Sequence, residues 1–211
     1  MLLPHQTGPD RRALILDAAE ACFVRSGFHR TTMQDVAAEA GMSAGNLYRY
    51  FPSKDAIVVG LSERDRREVA ESFAAMQDAG GDFMANFNEL GRRHFEDEPR
   101  EKAVLCLEIW AEATRNPVFG KLSAEFAEDI IERLTGLLDA AKSARNISPT
   151  LDSRTIATVI CTLADGMFVR RAILPDYDPA REVPPIMHII GCLVSGAVPA
   201  MRPAKALEVT S

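Results

Sequence analysis

Between Ser43 and Lys54 the chain gathers Gly45, Asn46, Tyr48, Arg49, Tyr50 and Lys54 into one helix-sized stretch, around the apolar Leu47 and Phe51. Asn and Arg side chains can hydrogen-bond base edges or phosphate, and a Tyr hydroxyl can bond a phosphate oxygen without carrying charge. Lys54 stands where a further helix begins, so its ammonium and the local N–H groups can clamp a flanking phosphate. Gly45 costs a helix interior about 1 kcal/mol relative to Ala. What offsets that cost is close approach: with no side chain at position 45, the helix can lie against a phosphodiester strand. Ser43 caps the helix and turns its amino-terminal N–H groups toward the same strand. A helical corner packed into a core would account for Leu47 and Phe51, but not for Gly45 beside Asn46, Arg49 and Lys54. The chemistry is reversible binding to a nucleic-acid duplex.

These residues need a second helix to hold them. From Thr32 to Phe51, the apolar Val36, Ala40, Met42, Leu47 and Tyr50 fall where two short helices meeting near a right angle would bury them. Ala37 is small where the helices cross, and Gly41 supplies a turn whose positive φ glycine adopts most easily. Thr32 with Asp35 three residues on is a capping-box variant. This is the helix-turn-helix pattern, whose second helix enters the major groove. Ahead of it, Leu14, Ile15, Ala18, Ala19, Cys22 and Phe23 form the stripe of a first helix, from about Asp10 to Ser26-Gly27. A fourth runs from Lys54 to about Asp78, and others are expected at 82–96, 99–115, 118–144, 151–174 and 181–198, separated by Gly-, Pro- and Asn-bearing breaks. No strand-like alternation occurs. The predicted fold class is all-α: an amino-terminal three-helix helix-turn-helix domain over residues 1–55, then a larger helical bundle over 56–211 for ligand binding and dimerisation.

The chain has 211 residues, 47% hydrophobic and 26% charged, an ordinary globular composition. Its net charge of −6 lies entirely beyond Asp55, because the stretch up to and including Asp55 carries six basic and six acidic residues. A nucleic-acid partner is therefore expected at the amino-terminal end. Cys22, Cys106, Cys161 and Cys192 stand far apart amid apolar residues, which suggests neither zinc nor a disulfide framework but small buried side chains. The opening MLLPHQTGPDRR lacks the sustained apolar run of a signal peptide, and the most apolar stretch, 186–198, is too short for a span of about 20 residues. A cytoplasmic protein with no membrane partner and no cofactor is expected.

The run from Gly27 through Asp55, GFHRTTMQDVAAEAGMSAGNLYRYFPSKD, closely resembles the amino-terminal signature of the tetracycline-repressor (TetR) family of bacterial transcriptional regulators. The resemblance covers about the first 60 residues. It implies a homodimer that binds a near-palindromic operator in double-stranded DNA, usually as a repressor released by a small-molecule effector. Carried over position by position, the family's DNA contacts map to Thr31, Thr32, Ser43, Ala44, Gly45, Asn46, Tyr48, Arg49, Tyr50 and Lys54. Ala44 stands where some relatives carry a longer polar residue, and Arg49 where many carry an aromatic, so base preference is not inherited with the fold.

In a regulator of this type a cavity among the later helices would hold the effector, and Phe87, His94, Cys106, Trp110, Phe126 and Phe168 are its expected lining. The helix around Trp110 is apolar nearly all round and is expected to be buried. Glu108 and Glu112, one turn apart with Arg115 following, read as a solvated, salt-bridged edge. His94 with Glu96 and Glu98 does not make a metal site, because residues two apart on a helix point to different sides. The last two helices place Ile156, Val159, Ile160, Leu163 and Met167, and Ile186, Ile189, Ile190, Leu193 and Val194, along seams that need cover. A four-helix interface between two subunits would supply it. Other functions fit less well. An all-α enzyme lacks a phosphate loop, a metal-ligand pair or a nucleophile motif. A helical protein-interaction module would leave Gly45 unexplained, and an activator of the same fold would differ only in outcome.

Overall fold

The computed structural model describes residues 10–196. The stretch weighed above as a signal peptide, up to residue 9, and the last two residues expected in the final helix, 197 and 198, lie outside them. Among the described residues the chain forms nine α-helices and no strand: α1 Arg11–Ser26, α2 Met33–Glu39, α3 Ala44–Tyr50, α4 Lys54–Asp78, α5 Phe83–Phe95, α6 Arg100–Ala113, α7 Pro117–Ser143, α8 Ser153–Ile173 and α9 Pro179–Ser195.

Local chemistry sets most of the ends. Side chains of Asp10, Thr32, Ser43, Ser53, Asp82, Asn116, Asp152 and Asp178 each accept a backbone N–H of the first turn, satisfying donors that the helix itself leaves unpaired. At Thr32 the capping box is complete, with Asp35 returning its carboxylate to the Thr32 N–H at 2.8 Å. Gly41 turns the chain between α2 and α3 at φ +64°, and Gly196 stops α9 in the left-handed region. The final helix begins two residues earlier than expected because Pro179 fits its first turn, where no N–H is needed.

Two cores divide the protomer. The first unites α1, α2, α3 and the start of α4 around Ile15, Phe23, Val36, Leu47, Phe51 and Ile57, and it also takes in Phe119 of α7. The second joins Phe73 and Met76 of α4 to Phe87, Leu134, Leu138, Ile160, Ile190 and Val194. The change from one core to the other falls within α4, which is thus a single rod shared by both. Arg64 of α4 pairs with Asp17 at 2.8 Å and also with Glu20, strapping α4 to α1.

Two expectations are corrected here. Helix α6 is not enclosed all round: Ala103 is its one fully buried residue and Val104 is exposed. The seam assigned to self-association is largely an internal one. Ile160, Met167, Ile190 and Val194 are buried inside the protomer, because α7 and α5 pack onto those faces. Ile156, Leu163 and Ile186 lean on the same core, and Val159 and Leu193 are half-buried. Of the ten residues, Ile189 and no other is fully exposed, at 53%.

Candidate nucleic-acid interface

Helix α3 buries Leu47 completely and leaves its other faces to solvent. Ser43, Gly45, Tyr48 and Arg49 are exposed, and Ala44, Asn46 and Tyr50 are half-buried. A Cβ placed on Gly45 would find no heavy atom within 4 Å, so nothing inside the protomer requires glycine there. Tyr48 shows 47% of its surface, unusual for a large ring with no partner. Ser43 accepts the Asn46 N–H at 3.3 Å, which opens α3 with its remaining N–H groups outward. Tyr50 contributes its carbonyl inward, accepting Arg12 Nη1 at 3.2 Å, while the Arg12 guanidinium lies 4.4 Å from the centre of the Phe51 ring. These contacts fix the far end of α3 against α1.

Helix α2 braces α3 through Val36, Ala37 and Ala40, all buried. Thr32 at its start is exposed, and the Asp35 carboxyl is held below its ordinary range, first by the Thr32 backbone N–H and then by the Thr32 hydroxyl. Arg30, just ahead, is exposed and bonds Ser26 O at 2.7 Å, bordering a depression of about 400 Å³ with Arg25 and Asp35. Arg30 is not among the residues expected to contact DNA. The signal available was a cation two residues before a capped helix start, where phosphate is favoured.

Two expected contacts are placed differently. Thr31 is 2% exposed and its hydroxyl donates inward to Cys22 O at 3.1 Å and Gly27 O at 2.8 Å, so its side chain belongs to the core. Lys54 is also turned inward. Its ammonium donates to the carbonyls of Phe28 at 2.6 Å, His29 at 3.3 Å and Thr31 at 3.0 Å, and sits 4.3 Å from the Phe28 ring centre. All three donors of an ammonium are occupied. Burial lowers the Lys54 pKa, against the pull of Asp55, Glu112 and Glu108.

The six expected effector-lining residues do not form one wall. Trp110 and Phe168 meet edge to face at 6.3 Å, and Phe95, which the sequence reading omitted, joins Phe168 at 5.7 Å. Phe126 is half-buried on α7. Phe87 lies in the second core, stacked on Phe83 at 5.9 Å. Burial pushes the Cys106 thiol up to about 11 and Asp65 of α4 up to about 6, and each feels the charge of Lys102. Burial lowers His94, opposed by Glu98. A groove of about 600 Å³ runs instead between α5 and α9, past Met84, Asn88, Arg92, Met187, His188 and Cys192, and includes none of the six.

Residues 15–61 match the family model described as bacterial regulatory proteins, tetR family, and residues 93–189 match the BetI-type transcriptional repressor, C-terminal. The chain belongs to the TetR family. As a TetR-family transcriptional regulator it is 29% identical over 175 residues to the uncharacterized HTH-type transcriptional regulator YfiR of Bacillus subtilis (strain 168), spanning 81% of this chain and 83% of that one. It is 32% identical over 152 residues to the HTH-type transcriptional repressor KstR of Mycobacterium tuberculosis (strain ATCC 25618 / H37Rv), spanning 72% and 66%. The transcriptional regulator FadR from Bacillus subtilis, solved in complex with stearoyl-CoA, superposes with a TM-score of 0.71 over 87% of this chain and 98% of that one. At 21% identity that likeness concerns the fold. The helix-turn-helix expected from Thr32–Phe51 is thus present in this TetR-family regulator, and the capped helices that form it are α2 and α3.

Proposed function

We propose that this protein is a repressor that binds an operator as a homodimer and releases it when a small molecule enters the bundle. The observation that carries the reading is the face of α3. Gly45 is open to solvent beside Tyr48 and Arg49, and no internal packing accounts for that combination. In this reading α3 enters the major groove, Arg49 and Asn46 reach base edges or phosphate, and Tyr48 bonds phosphate. Thr32, Ser43, Ala44, Tyr50 and the added Arg30 flank the strand. Thr31 and Lys54 shape the unit from within.

Duplexes selected by the protein from a random pool test this. Wild type binds them with an affinity that falls steeply with salt, and Arg49→Ala reduces the salt slope by about one unit. Binding with no salt dependence, or an Arg49→Ala protein with unaltered affinity and slope, would overturn the reading.

For the effector, the Phe95–Phe168–Trp110 cluster is apolar, and Cys106, one turn before Trp110 on α6, feels the charges of Asp65 and Lys102, a combination that suits a molecule with a large apolar part and a polar end. FadR is a fold relative that holds such a molecule, stearoyl-CoA. Trp110 is the single tryptophan of the chain and so reports directly on this region. Acyl-CoAs of graded length should change its fluorescence and loosen the selected duplex; an unchanged signal with each of them would remove this ligand class.

A further inference from the structure

Helix α6 is tied down at two places. At its start, Arg100 donates through Nε to the Arg171 carbonyl at 3.2 Å and through Nη2 to the Ala172 carbonyl at 2.7 Å. Arg171, 4% exposed, donates Nη1 to the Glu98 carbonyl at 2.8 Å. These bonds join the α5–α6 link to the last turn of α8. Farther along, Glu108 reaches the connection between α1 and α2. Its Oε2 accepts the Phe28 N–H at 2.5 Å across 80 residues of sequence. The approach is so close that a Cβ on Gly27 would stand 3.0 Å from Glu108 Oε1, at a backbone φ of +83° that other residues rarely adopt. One turn on, Glu112 lies 2.9 Å from His29 Nε2 and also pairs with Arg115.

The same connection is held from the other side by α4. Lys54 takes the carbonyls of Phe28, His29 and Thr31, so the peptide groups of residues 28–31 are gripped between a carboxylate of α6 and an ammonium of α4. The carbonyls gripped by α4 and the N–H gripped by α6 belong to the few residues that lead straight into the capped start of α2. A carboxylate that accepts a backbone N–H makes a short, charge-assisted bond, and losing it leaves that N–H without a protein partner.

We propose that Glu108 is a positioning residue for DNA binding: by holding the Phe28 amide it sets the tilt of α2 and α3 relative to the bundle. Nothing in Glu108 touches DNA. The proposal rests on the reading of α3 as the DNA-contacting helix.

Two measurements on the full-length protein test it. In Glu108→Ala, hydrogen exchange of the Phe28 amide should rise at least about tenfold while the amides of Val36 and Leu47 keep their protection, which marks a local opening in a folded domain. Affinity for a duplex selected by the wild type should fall by about tenfold, within the usual range of coupling between sites, with the salt slope unchanged because no phosphate contact is lost. Glu108→Gln, which keeps the shape and one neutral acceptor, should lie between the two and serves if the alanine variant does not fold. Unchanged Phe28 exchange, or a duplex affinity within twofold of wild type in both variants, overturns the proposal. A wild type that binds no duplex overturns the underlying reading instead, whereas wild-type binding with indifferent Glu108 variants removes this inference alone.

Discussion

Gly45 and Lys54 invite opposite substitutions. At Gly45 a methyl group would enter open space, so Gly45→Ala should make α3 the better helix and stabilise the free protein by up to about 1 kcal/mol. The same methyl group would stand between α3 and the strand, and duplex affinity should fall roughly tenfold, about 1.4 kcal/mol. Lys54→Ala removes the partner of three carbonyls and should cost the free protein roughly 1–3 kcal/mol, with the salt slope of DNA binding kept. Urea unfolding and duplex titrations at several salt concentrations check both. A Lys54→Ala protein of wild-type stability but shallower salt slope would return Lys54 to the phosphate. Glu108 belongs beside these two: it was read from the sequence as one half of a solvated edge, yet it accepts an amide 80 residues away. Side-chain type announced an acceptor. The donor could not be inferred, because no local spacing links α6 to the α1–α2 connection.

Helices α4 and α7 are the elements shared by the two cores, and charges gather on α4. Asp65 of α4 sits there with Lys102, Glu20 and Arg64 around it, and burial lifts its pKa to about 6. The unfolded chain gives up this proton near pH 4, and the folded one does so about two units higher. Its contribution to stability is therefore fully present at acid pH below the unfolded value and is lost as pH rises through about 6. Asp65→Asn should stabilise the protein at pH 7.5 by about 1–3 kcal/mol and by little at pH 4. Thermal unfolding followed across that range gives the answer, and a gain that was the same at both ends would assign it to packing instead. The helices themselves were legible, since caps such as Thr32–Asp35 and breaks such as Gly41 act within a few residues. Their apolar stripes were legible too. Which neighbour covers a stripe was not: the run around Trp110 promised a helix enclosed on every side, whereas α6 leaves Val104 in solvent.

For the protomer taken together, the outward apolar residues mark where a second copy would sit in the proposed homodimer. Ile173 at the end of α8 is 61% exposed and Ile189 of α9 is 53% exposed, on two helices that pack against each other. Earlier along α8, Thr158, Thr162, Asp165 and Gly166 are also exposed, small or polar residues that let another helix come near. We expect the homodimer to close over this surface and not over the inward seam of Ile160 and Met167. Replacing Ile173 and Ile189 together by Lys should shift sedimentation from dimer to monomer with helicity retained, and affinity for a duplex carrying two half-sites should fall far more than affinity for one half-site. A variant still dimeric at micromolar concentration would place the interface elsewhere.

Sequence alone carried the all-helical layout, the helix-turn-helix and the exposed chemistry of α3. Each depends on interactions between residues three or four apart, and these act whatever the remainder of the chain does. The packing of the nine helices decided the rest. It sent Thr31 and Lys54 inward, put Ile160, Met167, Ile190 and Val194 in the protomer's own core, and brought Glu108 to Phe28. An apolar stripe or a lone carboxylate specifies only that something must meet it, because burial is non-directional and a hydrogen bond accepts any donor at the right distance. The identity of the partner is a property of the assembled chain.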